Sequence, residues 1–505
     1  MRASLLVLIV LMVSNACSNK VESVIQIYPD QAISTNFIGN GVQWSAYPHA
    51  DTENSEWGML MTDEKWEMNF HRLDYMQPKL FRVMDQANWR YLVGFDDRDQ
   101  PILNFNTPEI KALEKILDYA QKNNITVLLG EWGTPYKMHD TDHGHSDKFT
   151  GANDPKWINA IVEYLNYLIV DQSYTCIKYY NLVNEPNGDW ACTNGDFVEW
   201  SEGVQLLAEA LKTKGLDRYI SVAGPDAVTR YDNPRSTYTG SGWVEETAKQ
   251  LDDIIGIYEV HDYTVHDLVK SGGFKDYHGK IARFAKQMNK QIIFGELGFS
   301  RNGQRNQDRA KADPQASEDS QMEVYDFSYG INMADAAIQS MNAGYSGAAA
   351  WALDDAMHTL GDLGNINQLK RWGMWNSLGT EICDNPDDEN IRPWFYTWSL
   401  LCRYFPTGSS IAKTDTTGIE GLRLTAGTYN DDFTVAIVNN SDRDNTISLA
   451  VPTNKSLKKF LYVDGVRSVD ENNFPRPVQT NIKTKKALEL NVPANSFILL
   501  TSLEF

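Results

Sequence analysis

The chain has 505 residues, 42% of them hydrophobic and 22% charged, with a formal net charge of −21. That length accommodates one large barrel plus a smaller domain. The acidic balance excludes nucleic acid as a partner, because phosphate binding needs a basic patch. No apolar run reaches the roughly eighteen residues of a membrane span, and neutral substrates fit best.

In chain order, residues 1–17 come first. MRASLLVLIVLMVSNAC has a basic Arg2, an apolar run from Leu5 to Val13 and small residues leading to Cys17, which reads as a secretory signal. Because it stops at cysteine rather than at an Ala-x-Ala site, it resembles a bacterial lipoprotein signal. The expectation is that Cys17 is lipidated and becomes the mature N-terminus, with ordinary secretion as the alternative. The protein would then be an exported lipoprotein of the outer membrane, on the cell surface or the periplasmic face. That lipid anchor would be its one membrane contact. Residues 18–35 hold a polar tether and a strand, SVIQIYP, that can join a later sandwich.

From residue 36 to 405, short apolar runs alternate with helical patterns. TPEIKALEKILDYAQKNN offers Thr107 as N-cap and Pro108 in the first turn, with Ile110, Leu113, Ile116, Leu117 and Ala120 on one face. DPKWINAIVEYLNYLIV repeats the pattern, with Asp154 as cap and Ile158, Ile161, Val162 and Leu165 inward. Eight runs read as buried strands: 38–45, 79–84, 125–132, 177–185, 219–226, 254–263, 291–298 and 347–355. Strand and helix in repeated alternation mean a parallel sheet, and eight units predict an α/β chain folded as a (β/α)8 TIM barrel. A doubly wound open sheet is the alternative, but no glycine-rich nucleotide turn accompanies it.

Residues 406–505 change rhythm to short strands with Asn, Asp and Gly turns and no helical pattern, which predicts a C-terminal β-sandwich. It carries no catalytic cluster, and a structural companion is favoured over a sugar-binding module. Besides Cys17 there are Cys176, Cys192, Cys383 and Cys402. Export permits disulfides, yet their spacing selects no pairing, and without a C-x-x-C a structural zinc site is not expected.

Barrel enzymes keep their chemistry at the carboxyl ends of the strands. Here those ends carry Arg82, Glu131 with Trp132, Asn184 with Glu185, His261 with Tyr263, Glu296, and Trp351. Two glutamates from opposite sides of one barrel mouth, among an arginine, a tyrosine and tryptophans, suit glycoside cleavage. That reaction needs two carboxyl groups flanking the bond and aromatic faces to hold the sugar.

Asn-Glu-Pro after the fourth strand, His-x-Tyr on the sixth, Glu296 on the seventh, Arg82 and Trp351 resemble the clan of retaining (β/α)8 glycoside hydrolases. That clan includes family 5, the cellulase-like enzymes, and families 30 and 39, which carry a β-sandwich after the barrel. The resemblance implies Glu185 as general acid/base and Glu296 as nucleophile. It further implies Asn184 on the substrate 2-hydroxyl, Arg82 and Tyr263 orienting an ionised Glu296, His261 completing the wall and Trp351 as the floor under the sugar. It also implies a cis peptide between Trp351 and Ala352. The chain departs from the family 5 pattern where GEWG ends the third strand in place of the usual histidine.

Glu131 divides between shaping a subsite and a structural role, and Trp44, Trp89, Trp132 and Trp190 are further candidate sugar platforms. HDTDHGHSD (139–147) is rich in metal-binding side chains but lacks helical i, i+4 histidines, so a polar loop over the cleft is expected. Residues 302–320 read as a second long polar loop. The expected function is retaining hydrolysis of a β-linked oligo- or polysaccharide, with no metal or organic cofactor and no obligate protein partner. A non-catalytic glycan-binding protein on the same fold is one alternative. A metal-dependent barrel hydrolase built around 139–147 is the other.

Overall fold

The structure is a computed structural model, describing residues 24–45, 47, 57–134, 148–357, 368–484 and 487–504. Cys17 and the HDTDHGHSD run, with His139 and His143, lie outside the described residues, as does the Trp89 side chain. Among the described residues no helix is long and apolar enough to cross a membrane.

Eight parallel strands close into a barrel: Gly39–Gln43, Leu80–Asp85, Thr126–Glu131, Ile177–Asn181, Ser221–Val228, Ile255–Thr264, Ile292–Phe299 and Gly347–Ala350. They are called the first to eighth strands below. The eighth pairs with the first from Gly347↔Gly39 to Ala350↔Val42, which completes the ring. Helices between the strands form its outer layer. Thr107 caps Pro108–Lys122 by accepting from Ile110 N, and Asp154 caps Pro155–Asn166 by accepting from Lys156 N. Their buried faces contain the apolar positions that the 3.6-residue period selects.

Inside the barrel the side chains form layers. Ile38, Leu80, Leu128, Ala223, Ile257, Ile293 and Ala349 make an apolar plug. One step further along the inward faces, Leu80 gives way to Arg82, and Ile257 to Glu259, His261 and Tyr263. Period-two alternation thus places a polar layer directly above an apolar one, at the carboxyl end.

The second domain is a β-sandwich formed by two parts of the chain. Strands Ser409–Thr414, Leu422–Tyr429, Asp432–Asn439, Ser496–Thr501 and Leu457–Val463 make an antiparallel ladder. The N-terminal strand Ile25–Phe37 pairs antiparallel with Ser409–Thr414, and its start runs parallel to Asn445–Ala450. Ile25, Ile27, Leu424, Val435, Ile437, Leu449, Leu490 and Ile498 share its core. The chain passes from this strand straight into the barrel.

One expectation changes and one open question closes. Residues 302–320 are not an unstructured polar loop, because Gln304–Ala312 is a helix. Asn306 donates to Arg301 O and Ser320 O, Ala310 packs with Ala316 and Met322, and Arg305 and Arg309 pair with Asp326. The pairing left open for the cysteines is also settled: Cys176, Cys192, Cys383 and Cys402 are all free.

Candidate active site

Arg82 stands inward on the second strand, wholly buried, and its guanidinium organises the mouth of the barrel. Nη1 donates to Glu296 Oε1 at 2.5 Å and to Gln43 Oε1 at 3.1 Å. Nη2 donates to Asn184 Oδ1 at 2.7 Å and to Asp226 Oδ2 at 3.2 Å, and Nε to Glu259 Oε1 at 3.1 Å. The five N–H donors of an arginine are thereby all engaged. With its carbonyl oxygen turned to Arg82, Asn184 has its amide nitrogen left as a donor.

Glu296 Oε2 accepts from the Tyr263 hydroxyl, so both oxygens of Glu296 face strong donors. Burial pushes this carboxyl above its ordinary range, while His261, Arg82 and the Tyr263 hydrogen bond pull it down. Protonating Glu296 would sacrifice one of these bonds, so the geometry is that of a carboxylate.

The fourth strand ends at Asn181, and Glu185 follows on a bend with a left-handed φ of 47°. Such a conformation is uncommon away from glycine; here Glu185 N donates to Asp226 Oδ2 at 3.0 Å. The Glu185 carboxyl has a nitrogen beside each oxygen. Trp190 Nε1 donates to Oε2 at 2.6 Å, and His261 Nδ1 lies 2.9 Å from Oε1. His261 Nδ1 is also 3.5 Å from Glu296 Oε2, and its Nε2 is 2.6 Å from Asp226 Oδ1. Burial opposes charging this ring, but Asp226 and Glu296 outweigh it and hold His261 well above the usual histidine range. These anions favour the imidazolium form of a ring that stands between two glutamates.

Trp351 closes the floor. It is cis to Ala352, with Trp132 edge-on at 5.9 Å and Tyr263 at 6.3 Å between ring centroids. Trp190 is 40% exposed at the rim. Arg82, Asn184, Glu185, His261, Tyr263, Glu296, Trp351 and Trp132 are therefore brought together. Glu131 is not. It is wholly buried, and its oxygens accept from the Tyr91 hydroxyl at 2.7 Å and Ala87 N at 3.1 Å. Those bonds hold the segment after the second strand, which corrects its placement as a substrate-binding residue. Trp44 is likewise no platform, being wholly buried among Trp66, Phe70 and Phe81.

Sequence reasoning missed Asp226, Glu259 and Gln43. Glu259 had a signal: it lies two residues before His261 and four before Tyr263, on the same face of one strand. Asp226 had a weaker one, as the last residue of Gly-Pro-Asp at a strand end.

A closed barrel with this polar layer at the carboxyl ends of its strands is the architecture of the (β/α)8 glycoside hydrolases. The family follows from sequence: residues 39–351 match the family model "Cellulase (glycosyl hydrolase family 5)", and the chain belongs to that family. The match spans the third strand, where GEWG replaces the usual histidine. No curated protein matches the chain. Among solved structures, the glycoside hydrolase family 30 subfamily 8 xylanase from Clostridium acetobutylicum is similar at 13% identity and a TM-score of 0.58, over 95% of this chain and 99% of that one. The family 39 β-xylosidase from Caulobacter crescentus is similar at 11% identity and a TM-score of 0.60, over 95% and 99%. An endo-β-1,6-glucanase is similar at 15% identity and a TM-score of 0.59, over 95% of both chains. These likenesses concern the fold, sandwich included.

Proposed function

We propose that the protein is a retaining glycoside hydrolase that cuts a β-linked glycan by double displacement. The observation that carries this reading is the closeness of the two carboxylates. One oxygen of Glu185, one of Glu296 and a ring nitrogen of His261 all lie within 4.8 Å of one another. Retaining enzymes place their carboxyl groups about 5–5.5 Å apart, whereas inverting ones need roughly 6.5–9.5 Å to admit a water. The β-linkage is supported by the names of the structural neighbours, which include xylanases, a β-xylosidase and a β-1,6-glucanase.

In the first step a Glu296 oxygen attacks the anomeric carbon. The glycosidic C–O bond breaks, and the proton of the Glu185 carboxyl passes to the departing oxygen. In the second, Glu185 takes a proton from a water that attacks the same carbon, and the Glu296 ester bond breaks. The sugar leaves with its original anomeric configuration. Asn184 offers its amide to the 2-hydroxyl, and Trp351 underlies the ring.

The test is a panel of β-glucans, mannans, xylans and galactans, with NMR reading the first anomer released. Glu296→Ala abolishes turnover. Glu185→Ala spares activated aryl glycosides, which need little protonation, and azide restores rate to it with a β-glycosyl azide as product. An inverted first product overturns the retaining mechanism. Loss of activity in chelator favours a metal-dependent hydrolase, and binding without turnover favours a glycan-binding protein. We further propose that Cys17 carries a lipid anchor holding the exported protein to the outer membrane; Cys17→Ala then releases it from the membrane fraction, and unchanged attachment refutes the anchor.

A further inference from the structure

Asp226 takes no part in the steps above and is wholly buried. Yet Glu185, Glu296 and Asn184 are all tied to it, directly or through one side chain. Its Oδ2 accepts from Glu185 N at 3.0 Å, Asn181 Nδ2 at 2.6 Å and Arg82 Nη2 at 3.2 Å. Its Oδ1 lies 2.6 Å from His261 Nε2, and the opposite ring nitrogen reaches both Glu185 and Glu296. Arg82 in turn holds Glu296 and Asn184.

The backbone is shaped for this. The fifth strand pairs with the sixth at Pro225↔Glu259 and then at Ala227↔Val260, so Asp226 is the extra residue of a bulge. Bulges re-aim a side chain. Its φ is 59°, in the left-handed region where aspartate is enriched among non-glycine residues. Glu185, beyond the fourth strand, and Asp226, within the fifth, thus both adopt an uncommon conformation, and Glu185 N donates to Asp226 Oδ2.

We propose that Asp226 is the positioning residue of this active site, one carboxylate that holds Glu185 through its backbone N–H and both glutamates through the His261 ring. The inference rests on the glycosidase reading. Its electrostatic consequence follows from the groups around the ring. Asp226 comes from the fifth strand, Glu259 from the ring's own strand, Glu185 from beyond the fourth, Glu296 from the seventh and Arg82 from the second. Of these, Asp226 lies nearest Nε2, at 2.6 Å against 3.9 Å for Glu259 Oε1. Neutralising it lets His261 lose its proton, and Glu296 then loses a cationic neighbour. The reaction needs Glu296 ionised, so the acidic limb of kcat/KM moves to higher pH.

Asp226→Asn preserves volume and tolerates the left-handed backbone. Its kcat is expected to fall about a hundredfold with KM changed less than about threefold, and its acidic limb to rise by about one pH unit. In a double-mutant cycle with His261→Gln, the two losses are expected to be non-additive. An independent measurement needs neither a substrate nor a folded Asp226 variant. With histidines labelled by 15N, the wild-type His261 resonance, identified by its loss in His261→Gln, is expected to be that of a doubly protonated ring at pH 7.5. A neutral His261 in the wild type overturns the proposal. So do additive losses in the cycle, or an unmoved pH profile with kcat and KM impaired together. If no glycan is cleaved by the wild type, the glycosidase reading fails, while the NMR result still decides whether the His261 ring is charged, and the same spectrum of folded Asp226→Asn, expected to show a neutral ring, decides whether Asp226 holds it so.

Discussion

Trp190 presents its ring to solvent, packs against Tyr231 at 4.6 Å and gives its indole N–H to Glu185. In the proposed mechanism Glu185 stands beside the glycosidic oxygen, which would put this ring at the leaving group. Trp190→Phe retains the ring and removes the donor. One charge-assisted hydrogen bond corresponds to about a tenfold loss. The expected result is a tenfold lower kcat/KM on oligosaccharides and little change on activated aryl glycosides; equal losses on both would place the role of Trp190 in binding instead. Glu259 offers a stability measurement. Buried beneath Arg82, it is pushed up to about 7 by desolvation and by Asp226, against the pull of His261 and Arg82. A carboxyl whose folded pKa is raised takes up a proton on folding, so its stabilising contribution is present below its unfolded pKa and lost as pH rises through about 7. Glu259→Gln abolishes that titration. Between pH 5 and 8 the wild-type Tm should therefore fall further than the variant's; parallel falls would contradict the assignment.

At the scale of elements, the bulges decide what the strands present. Ile293 lies in the apolar plug, so strict alternation along the seventh strand would turn Gly295 inward and Glu296 outward. The pairing with the sixth strand instead steps from Phe294↔Val260 to Glu296↔His261, which makes Gly295 the extra residue and brings Glu296 beside His261. A Cβ on Gly295 would meet Glu259 Oε1 at 1.7 Å. Gly295→Ala should therefore force Glu259 and Glu296 aside, lowering stability by about 1–3 kcal/mol. Turnover should fall about a hundredfold or more while the circular dichroism of the barrel persists. Near-normal turnover in a folded Gly295→Ala would show that the bulge does not set the nucleophile. The fifth strand repeats the device at Asp226. The second and sixth strands lack a bulge there, and Arg82, Glu259, His261 and Tyr263 obey plain alternation.

At the scale of the whole molecule, the sandwich is joined to the barrel through a sheet buried on both faces. Leu424, Val435, Ile437 and Ile498 fill the sandwich, while Ala436, Val438, Phe460, Phe497 and Leu499 pack with the barrel's core. Helix Phe327–Ala343 lies at the joint, where Phe327 stacks on Tyr462 at 4.1 Å. Asp335 is wholly buried there, paired with Arg423 Nη1 at 2.8 Å and Asn440 Nδ2 at 3.0 Å. Burial raises its carboxyl to about 6, against Arg423 and Asn440. Arg423→Ala leaves this charge without its ion-pair partner, at a cost of about 3 kcal/mol. The loss should be larger at pH 8, where Asp335 is ionised, than at pH 5, where it takes up a proton. Melting curves at the two pH values check this; a loss independent of pH would mean that packing, not charge, holds the joint.

The amino-acid sequence by itself determined the class of fold, because strand and helix periods are local properties. Eight buried runs alternating with amphipathic segments such as 108–122 leave few arrangements besides a barrel, and turn-rich short strands after residue 406 read as a sandwich. It also marked the strand ends where Arg82, Asn184, Glu185, His261, Tyr263, Glu296 and Trp351 stand. Tertiary structure alone decided what those residues touch. Glu131 and Trp132 are adjacent in sequence, yet one is sealed against Tyr91 and Ala87 while the other borders Trp351. Asp226 and Glu296 face the mouth only because bulges break the two-residue period, and a bulge exists only in the pairing with a neighbouring strand. Side-chain period is written along the chain, whereas register and charge coupling arise between segments distant along it; the charge favoured on His261 depends on carboxylates from two other strands, those of Asp226 and Glu296.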